Sequence, residues 1–352
     1  MTRRMVLLTA LVAAATGVSA EQVARHVLMG GTPYETSCHV KYGDDPWGPK
    51  ICVIGGLHGN ETAGWVAAER LLNWRITRGV LIVLPRAHQE AIRRNARGYP
   101  GNMNAMFPGD SQGDAMHRLA AEIWRIVDYY RPSLLLTLHE SRGYHKRDPT
   151  SYGYTLCHDF SLLDPLMQRC IDRANPDLPD ALHRFEIFVE AHPTCPTYCA
   201  WRKLRIPATS IETCLEDRLD LRVRHQLMMC MGFFDEARLG YAQADVPSLS
   251  TAGQPSHTAL EVWGPHFAAL EAGRTPAARY GLLQVGAPAP LAKVFVDGEY
   301  RGCTPATVAI PTGPGGHTVQ VTVQRDGLQA WSTAATVLPE QYTRVMAEPP
   351  GS

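Results

Sequence analysis

Apolar runs and amphipathic stretches alternate along the first two-thirds of the chain. "KICVIGG" (50–56) is a continuous apolar run ending in two glycines, and "TAGWVAAERLLNW" (62–74) spaces its apolar residues as a helix does. "GVLIVLP" (79–85) predicts a second buried strand, "GDAMHRLAAEIWRIVDYY" (113–130) an amphipathic helix, and "PSLLLTLHE" (132–140) a third strand. "IPATSIET" (206–213) predicts another strand, with the helical "DRLDLRVRHQLMMCMGFFDEARLG" (217–240) behind it. Fully apolar strands alternating with amphipathic helices predict an α/β domain over 21–243, built on a mostly parallel mixed sheet with helices on both faces.

The pattern changes at both ends. From 244 to 288 the composition shifts to Pro, Gly, Ala and Ser, interrupted by one possible helix, "ALEVWGPHFAALEAG", and reads as a connector. Over 289–348 apolar and polar residues alternate around an Asp-Gly turn, which predicts a small all-β domain of hairpins. Residues 1–20 have a basic head, a short apolar stretch and a small-residue cleavage site, the layout of a secretory signal peptide. Export to the periplasm or the extracellular space is therefore expected, with no membrane span once the signal is removed.

Charge narrows the partners. The 34 basic and 34 acidic residues cancel and no basic block stands out, which argues against nucleic acid and anionic membranes. Nine cysteines, an odd number, leave at least one unpaired in an oxidising compartment. Cys195 and Cys199 are close enough for a local disulfide; His192 beside them would suit a second metal site, but no fourth ligand is evident.

The chemistry concentrates where strands end. His58 and Glu61, in "GGLHGNETAG", follow the strand 50–56; His139 ends the strand 132–138; Glu212 ends the strand 206–211. Open α/β sheets build their sites at the carboxyl ends of strands, so these four residues are expected in one crevice. His183 and Glu186 repeat the His-x-x-Glu spacing without a preceding buried strand or glycine turn, and are set aside. Two histidines and one carboxylate leave Zn²⁺ an open position for water, and one zinc per chain is expected. A further carboxylate must move the water's proton, for which Glu212 is suited. The arginine-rich "RRNARGYPGNMN" offers cations for a developing oxyanion. Glu140, next to a predicted ligand, is expected to point away or support it, and Tyr144 and His145 to lie in a solvated loop.

"HGNE", "GNMNAMFPGD", "LTLHE" and "IET", in this order over about residues 50 to 235, resemble the zinc carboxypeptidase superfamily, nearest its succinylglutamate desuccinylase/aspartoacylase branch. The resemblance implies His58, Glu61 and His139 as zinc ligands, Glu212 as general base, Arg97 as the carbonyl-polarising arginine and Asn104 as a substrate-binding asparagine. Where that family has Asn-Arg before "FPG", this chain has Asn104-Ala105, so a clamp for a substrate carboxylate is missing. Arg93, Arg94 or Arg142 are the alternatives from other directions. The tail, through "VFVDGEYRGCTP", resembles a PEGA module.

Three functions follow. An exported zinc-dependent hydrolase of an amide bond, acting on a small N-acyl amino acid or peptide, is favoured. A carboxypeptidase trimming muropeptides of the cell wall is the second, and a catalytically inactive carboxypeptidase-like binding protein the third.

Overall fold

The computed structural model describes residues 22–159, 163–190, 192–243, 279–287, 292–325, 327–339 and 341–347. The expected signal peptide and the helix foreseen within 259–273 lie outside these residues.

The larger region runs β1 (Gln22–Leu28), β2 (Thr36–Tyr42), β3 (Asp45–Gly55), α1 (Thr62–Leu71), β4 (Arg75–Leu84), α2 (Gln89–Arg93) and α3 (Ala115–Tyr130). It continues through β5 (Leu134–Ser141), β6 (Thr155–His158), α4 (Asp164–Ala174), β7 (Glu186–Val189), α5 (Pro196–Leu204), β8 (Ala208–Cys214), α6 (Leu219–Ala237) and β9 (Gly240–Ala242). One sheet takes the order β1-β2-β4-β3-β5-β8-β6-β7, with β9 beside β4. Its centre, β4-β3-β5-β8, is parallel. Its flanks join antiparallel, β2 to β4 and β6 to β8.

Alternation along β3 explains the helices on two faces. Ile51 and Val53 face one core with α1, α4 and α6, where Leu71, Cys170 and Phe234 are fully buried. Cys52 and Ile54 face the other, with Leu119 and Ile123 of α3 and Cys199 and Ala200 of α5. A strand buried on both sides must be apolar at every position, which is why "KICVIGG" shows no alternation.

Seven further strands follow: β10 (Arg279–Gly286), β11 (Lys293–Val296), β12 (Glu299–Cys303), β13 (Ala306–Thr312), β14 (His317–Gln324), β15 (Trp331–Val337) and β16 (Tyr342–Met346). They make a three-stranded sheet, β13-β10-β16, and a four-stranded one, β12-β11-β14-β15, around a separate apolar core. β10 falls inside the stretch expected as connector: "RYGLLQVG" is a strand whose Leu283 and Val285 are buried.

This module packs on the α/β region. Cys303 sits in the core beneath α3, the Tyr300 hydroxyl donates to the Tyr129 carbonyl (2.5 Å), and Lys50 Nζ donates to the Cys303 carbonyl (2.9 Å). Gly302, at φ +111°, lets the β12 backbone lie against Arg131, whose Cβ would be 3.1 Å from any added Cβ. These contacts involve the start of the apolar run of β3 and the carboxyl end of α3, the side of the sheet opposite its strand carboxyl ends.

Candidate active site

The loop between β3 and α1 carries two of the four predicted residues. Gly56 adopts φ +71°, and a Cβ on Gly59 would stand 2.1 Å from the Ala91 backbone, so only glycine allows this loop to lie against α2. His58 thereby turns back over the sheet, and Glu61 occupies the position just before α1. His139 comes from β5 and Glu212 from β8, and the two are register partners across that parallel pair.

His58, Glu61 and His139 are each 2% exposed and form one cluster whose potential ligand atoms lie within 4.8 Å of one another. Nδ1 of His58 is 2.6 Å from Glu61 Oε1, and Nδ1 of His139 is 2.8 Å from Glu61 Oε2. The Glu140 backbone N–H also donates to Glu61 Oε2 (3.2 Å), and Arg97 Nη1 to Oε1 (3.0 Å). Burial alone would raise the Glu61 carboxyl; the imidazoles of His139 and His58 outweigh it and hold the group well below the usual carboxylate range. Burial lowers the pKa of His139, favouring the neutral form that ligates a metal.

The donor set can be tested against a metal. Asn102 Oδ1 accepts from the Asn104 backbone N–H (3.1 Å) and lies 2.9 Å from His58 Nε2, so Nε2 is the protonated nitrogen. The lone pair of Nδ1 then faces a carboxylate oxygen, a contact that is favourable only with a cation or proton between them. Among the described residues, His139 Nε2 has no hydrogen-bond partner though buried. Two imidazoles and a carboxylate in an enclosed corner fit a tetrahedral zinc with one position left open. Asn102 was not foreseen. Its signal was the Asn-x-Asn spacing of "GNMN", of which only Asn104 was assigned a role.

The cluster opens on a cleft of about 560 Å³ lined by His58, Glu61, His139, Arg97, Asn104 and Glu212, with Arg142, Tyr152, Asp159 and Glu190 farther along its walls. The half-buried Glu212 is pushed well above the ordinary carboxylate range by desolvation and then by the negative charge of Glu61, partly offset by Arg97. Asn104 presents a buried Oδ1 with no partner among the described residues. Arg142 is exposed on the rim. Arg94 departs from expectation: it pairs with Glu90 (2.9 Å) and stacks 3.8 Å over Tyr99, and it does not line the cleft. Arg93 is likewise held by Glu90. Ala105 is exposed in a short 3-10 turn.

Two buried networks support the site. Glu140 accepts from the Ala63 backbone N–H (2.7 Å) and from Arg222 Nη1 (2.5 Å), while Gln226 Nε2 donates to the His139 carbonyl (2.8 Å) and the Thr213 hydroxyl (3.0 Å). Arg222 and Gln226, one turn apart on α6, therefore tie β5, β8 and the start of α1 together. In the second, Asp217 accepts from the hydroxyls of Tyr144 (2.5 Å) and Tyr154 (2.7 Å) and lies 3.2 Å from His183 Nε2. Tyr154 in turn accepts from His225 Nδ1 (2.8 Å). Tyr144 is thus buried rather than in a solvated loop, and the discarded His183 anchors the segment after β8. His145 packs on Phe188.

All nine cysteines are free thiols and buried. The local disulfide expected between Cys195 and Cys199 is absent because Cys195 caps α5, accepting from the Tyr198 backbone N–H (3.3 Å), while Cys199 points to the Pro193 carbonyl. Among the described residues the only cluster able to hold a metal is His58, Glu61 and His139, so His192 belongs to no second site.

Comparison with known proteins agrees with this geometry. Residues 47–140 match the family model of the succinylglutamate desuccinylase/aspartoacylase catalytic domain, and residues 281–350 match that of the PEGA domain. The chain thus joins a desuccinylase/aspartoacylase-like segment to a PEGA-like module. The first match contains His58, Glu61, Arg97, Asn104 and His139; Glu212 lies beyond it. An N-alpha-acetyl-L-2,4-diaminobutyric acid deacetylase from Halomonas elongata is 32% identical over 86 residues, which is 23% of this chain and 25% of the relative. The chain therefore aligns with about a quarter of that enzyme's length.

Solved structures share the fold. Product-bound cell shape determinant protein Csd4 from Helicobacter pylori superposes with a TM-score of 0.56 at 14% identity, over 90% of this chain and 78% of that one. An aspartoacylase family protein from Mesorhizobium loti does so with a TM-score of 0.50 at 17% identity, over 96% and 91%. At these identities the likeness is one of architecture, the mixed α/β sheet with a further all-β region. The sequence matches of the α/β region lie among deacylase-type hydrolases.

Proposed function

We propose that the protein is an exported, zinc-dependent hydrolase that cleaves an amide bond in a small N-acyl amino acid or peptide. The observation that carries this reading is the convergence of three buried ligand-type side chains, His58, Glu61 and His139, with Glu212 beside His139 across the β5–β8 pair. His58, Glu61 and His139 would hold the metal. When bound, zinc supplies Lewis acidity toward the scissile carbonyl and a water of lowered pKa.

The chain's own groups do the rest. Glu212, the register partner of His139 across the β5–β8 pair, is the carboxylate placed to accept the water's proton and return it to the leaving amine. Arg97, 61% exposed at its side chain and free to swing from Glu61, neutralises charge that develops on the carbonyl oxygen. Asn104 offers its side-chain amide to the substrate, and Arg142 on the rim meets a substrate carboxylate in place of the arginine that Ala105 replaces.

Csd4 from Helicobacter pylori, a D,L-carboxypeptidase whose structures hold mDAP and a tripeptide, is the reason to keep peptidoglycan stem peptides as substrates beside N-acyl amino acids. The signal-like leader and the PEGA-like module support work outside the cytoplasm. The test is metal content and turnover of three proteins together, with N-acetylated diamino acids and muropeptides as substrates. The parent should hold one zinc per chain, His58→Ala should lose it, and Glu212→Gln should keep it while turnover falls by about 10²–10⁴-fold. Zinc retained at full stoichiometry in His58→Ala, or full activity in Glu212→Gln, would refute the assignment.

A further inference from the structure

A second cavity, of about 280 Å³, lies at the seam between the α/β region and the β module, away from the cleft. Its charged lining is Lys50, Arg131, Lys203, Arg205, Arg301 and Glu299. Arg131 is paired with Asp128 (2.5 Å) and Arg301 with Glu299 (2.9 Å). Lys50, Lys203 and Arg205 have no carboxylate within ion-pair distance among the described residues.

Lys50 is the informative one. It is 5% exposed, and its ammonium makes one hydrogen bond, to the Cys303 carbonyl. A buried ammonium that lacks a counter-charge is costly, and burial accordingly lowers its pKa. Such a group, walling a cavity that holds further cations, calls for an anion.

The charge can be counted. Five cations against Asp128 and Glu299 leave three positive charges. The carboxyl ends of α3 and α5, capped by Arg131 and Arg205, face the same seam. Each contributes about half a negative charge, so the net is about +2. We infer that the seam cavity binds a phosphate dianion, free or as the phosphomonoester of a small organic group, between the Lys50 ammonium and the Lys203 and Arg205 side chains. The cavity is several times the volume of the ion, which leaves room for a small attached group. Because Lys50 and Ser133 come from the α/β region and Arg301 from the β module, the anion would link the two.

Calorimetric titration of the full chain with inorganic phosphate, and in parallel with glycerol phosphate, tests this at low ionic strength. Lys203→Ala combined with Arg205→Asn is the variant, since both side chains are exposed and asparagine tolerates the left-handed cap at φ +56°. One saturable site per chain is expected, weakened at least about tenfold in the double variant and by added salt. Equal affinity for the two probes identifies the free ion as sufficient; tighter binding of glycerol phosphate identifies a phosphorylated organic ligand. Absence of saturable binding, or binding that the double variant leaves unchanged, overturns the inference. Glu212→Gln, titrated alongside, should bind as the parent does, which separates this cavity from the cleft.

Discussion

His225 gives the most quantitative prediction. It is 2% exposed, donates to the Tyr154 hydroxyl at 2.8 Å, and through Tyr154 holds Asp217 and the segment that follows Glu212. Desolvation, then the neighbouring His183, lowers its pKa from 6.5 to about 4, with Asp217 pulling weakly the other way. A group whose folded pKa is depressed takes up its proton more readily in the unfolded chain. Its contribution is therefore complete above pH 6.5 and lost as the pH falls toward about 4. The full effect is about 3 kcal/mol, at about 1.36 kcal/mol per pH unit, and most of it is lost by about pH 4.5. Urea unfolding of the parent and of His225→Gln, at about pH 7.5 and about pH 4.5, isolates this contribution because all other titrations are shared. The parent should lose about 2–3 kcal/mol more than the variant between the two pH values. Parallel losses would refute the reasoning, since they would mean that His225 is not held neutral.

Two further substitutions probe the surroundings of the cleft. Arg222→Met removes the partner of Glu140 and leaves a carboxylate that is 2% exposed without a cation, so unfolding free energy should fall by about 3–5 kcal/mol, and adding Glu140→Gln should restore part of it. Ala105→Arg adds a guanidinium at an exposed turn, so stability should change by less than about 0.5 kcal/mol. KM for a carboxylate-bearing substrate should fall about tenfold, as a charge-assisted clamp would give, and an unaltered KM would show that position 105 does not face the substrate.

The parallel centre of the sheet was legible because its strands are buried on both faces and so leave uninterrupted apolar runs, as in "KICVIGG" and "PSLLLTLHE". The flanks were not. β6 and β7 are four residues each, and β1 alternates buried and exposed residues at an edge, as Val23, Ala24 and Val27 do. Too few residues carry a period there to separate a strand from a loop. The cluster of His58, Glu61 and His139 was legible for the same reason as the strands, since each residue follows the end of an apolar run. Their supports were not, because they are contacts between distant positions: Asn102 reaches His58 across 44 residues, Arg222 reaches Glu140 across 82, and Gln226 reaches His139 across 87. Arg94 shows the converse error. A cation placed near the cleft by sequence is tied to Glu90 on its own short helix, where a partner one turn away competes with any substrate.

The two ends of the sheet carry different tasks, and this bears on what controls substrate choice. Among the described residues, those that line the cleft lie between His58 and Leu215, and none belongs to the β module. The module's contacts, through Tyr300, Gly302 and Cys303, fall instead at the carboxyl end of α3 and at Lys50. On the proposed function, selectivity would draw on the segments after β5 and β6, which bring Arg142, Tyr152, Asp159 and Glu190 around the metal-type cluster. Those walls carry ionisable groups of both signs, Arg142 as well as Asp159 and Glu190, whereas a grip on a terminal carboxylate alone needs only the cation. Asp159 is engaged by Arg202 at 3.1 Å and Glu190 lies 3.4 Å from His192 Nε2, so a substrate amine would compete with these partners for either acid. On the function proposed above, a substrate end bearing both an amine and a carboxylate would meet groups of both signs along these walls, and diamino acids, free or within a peptide, have that character.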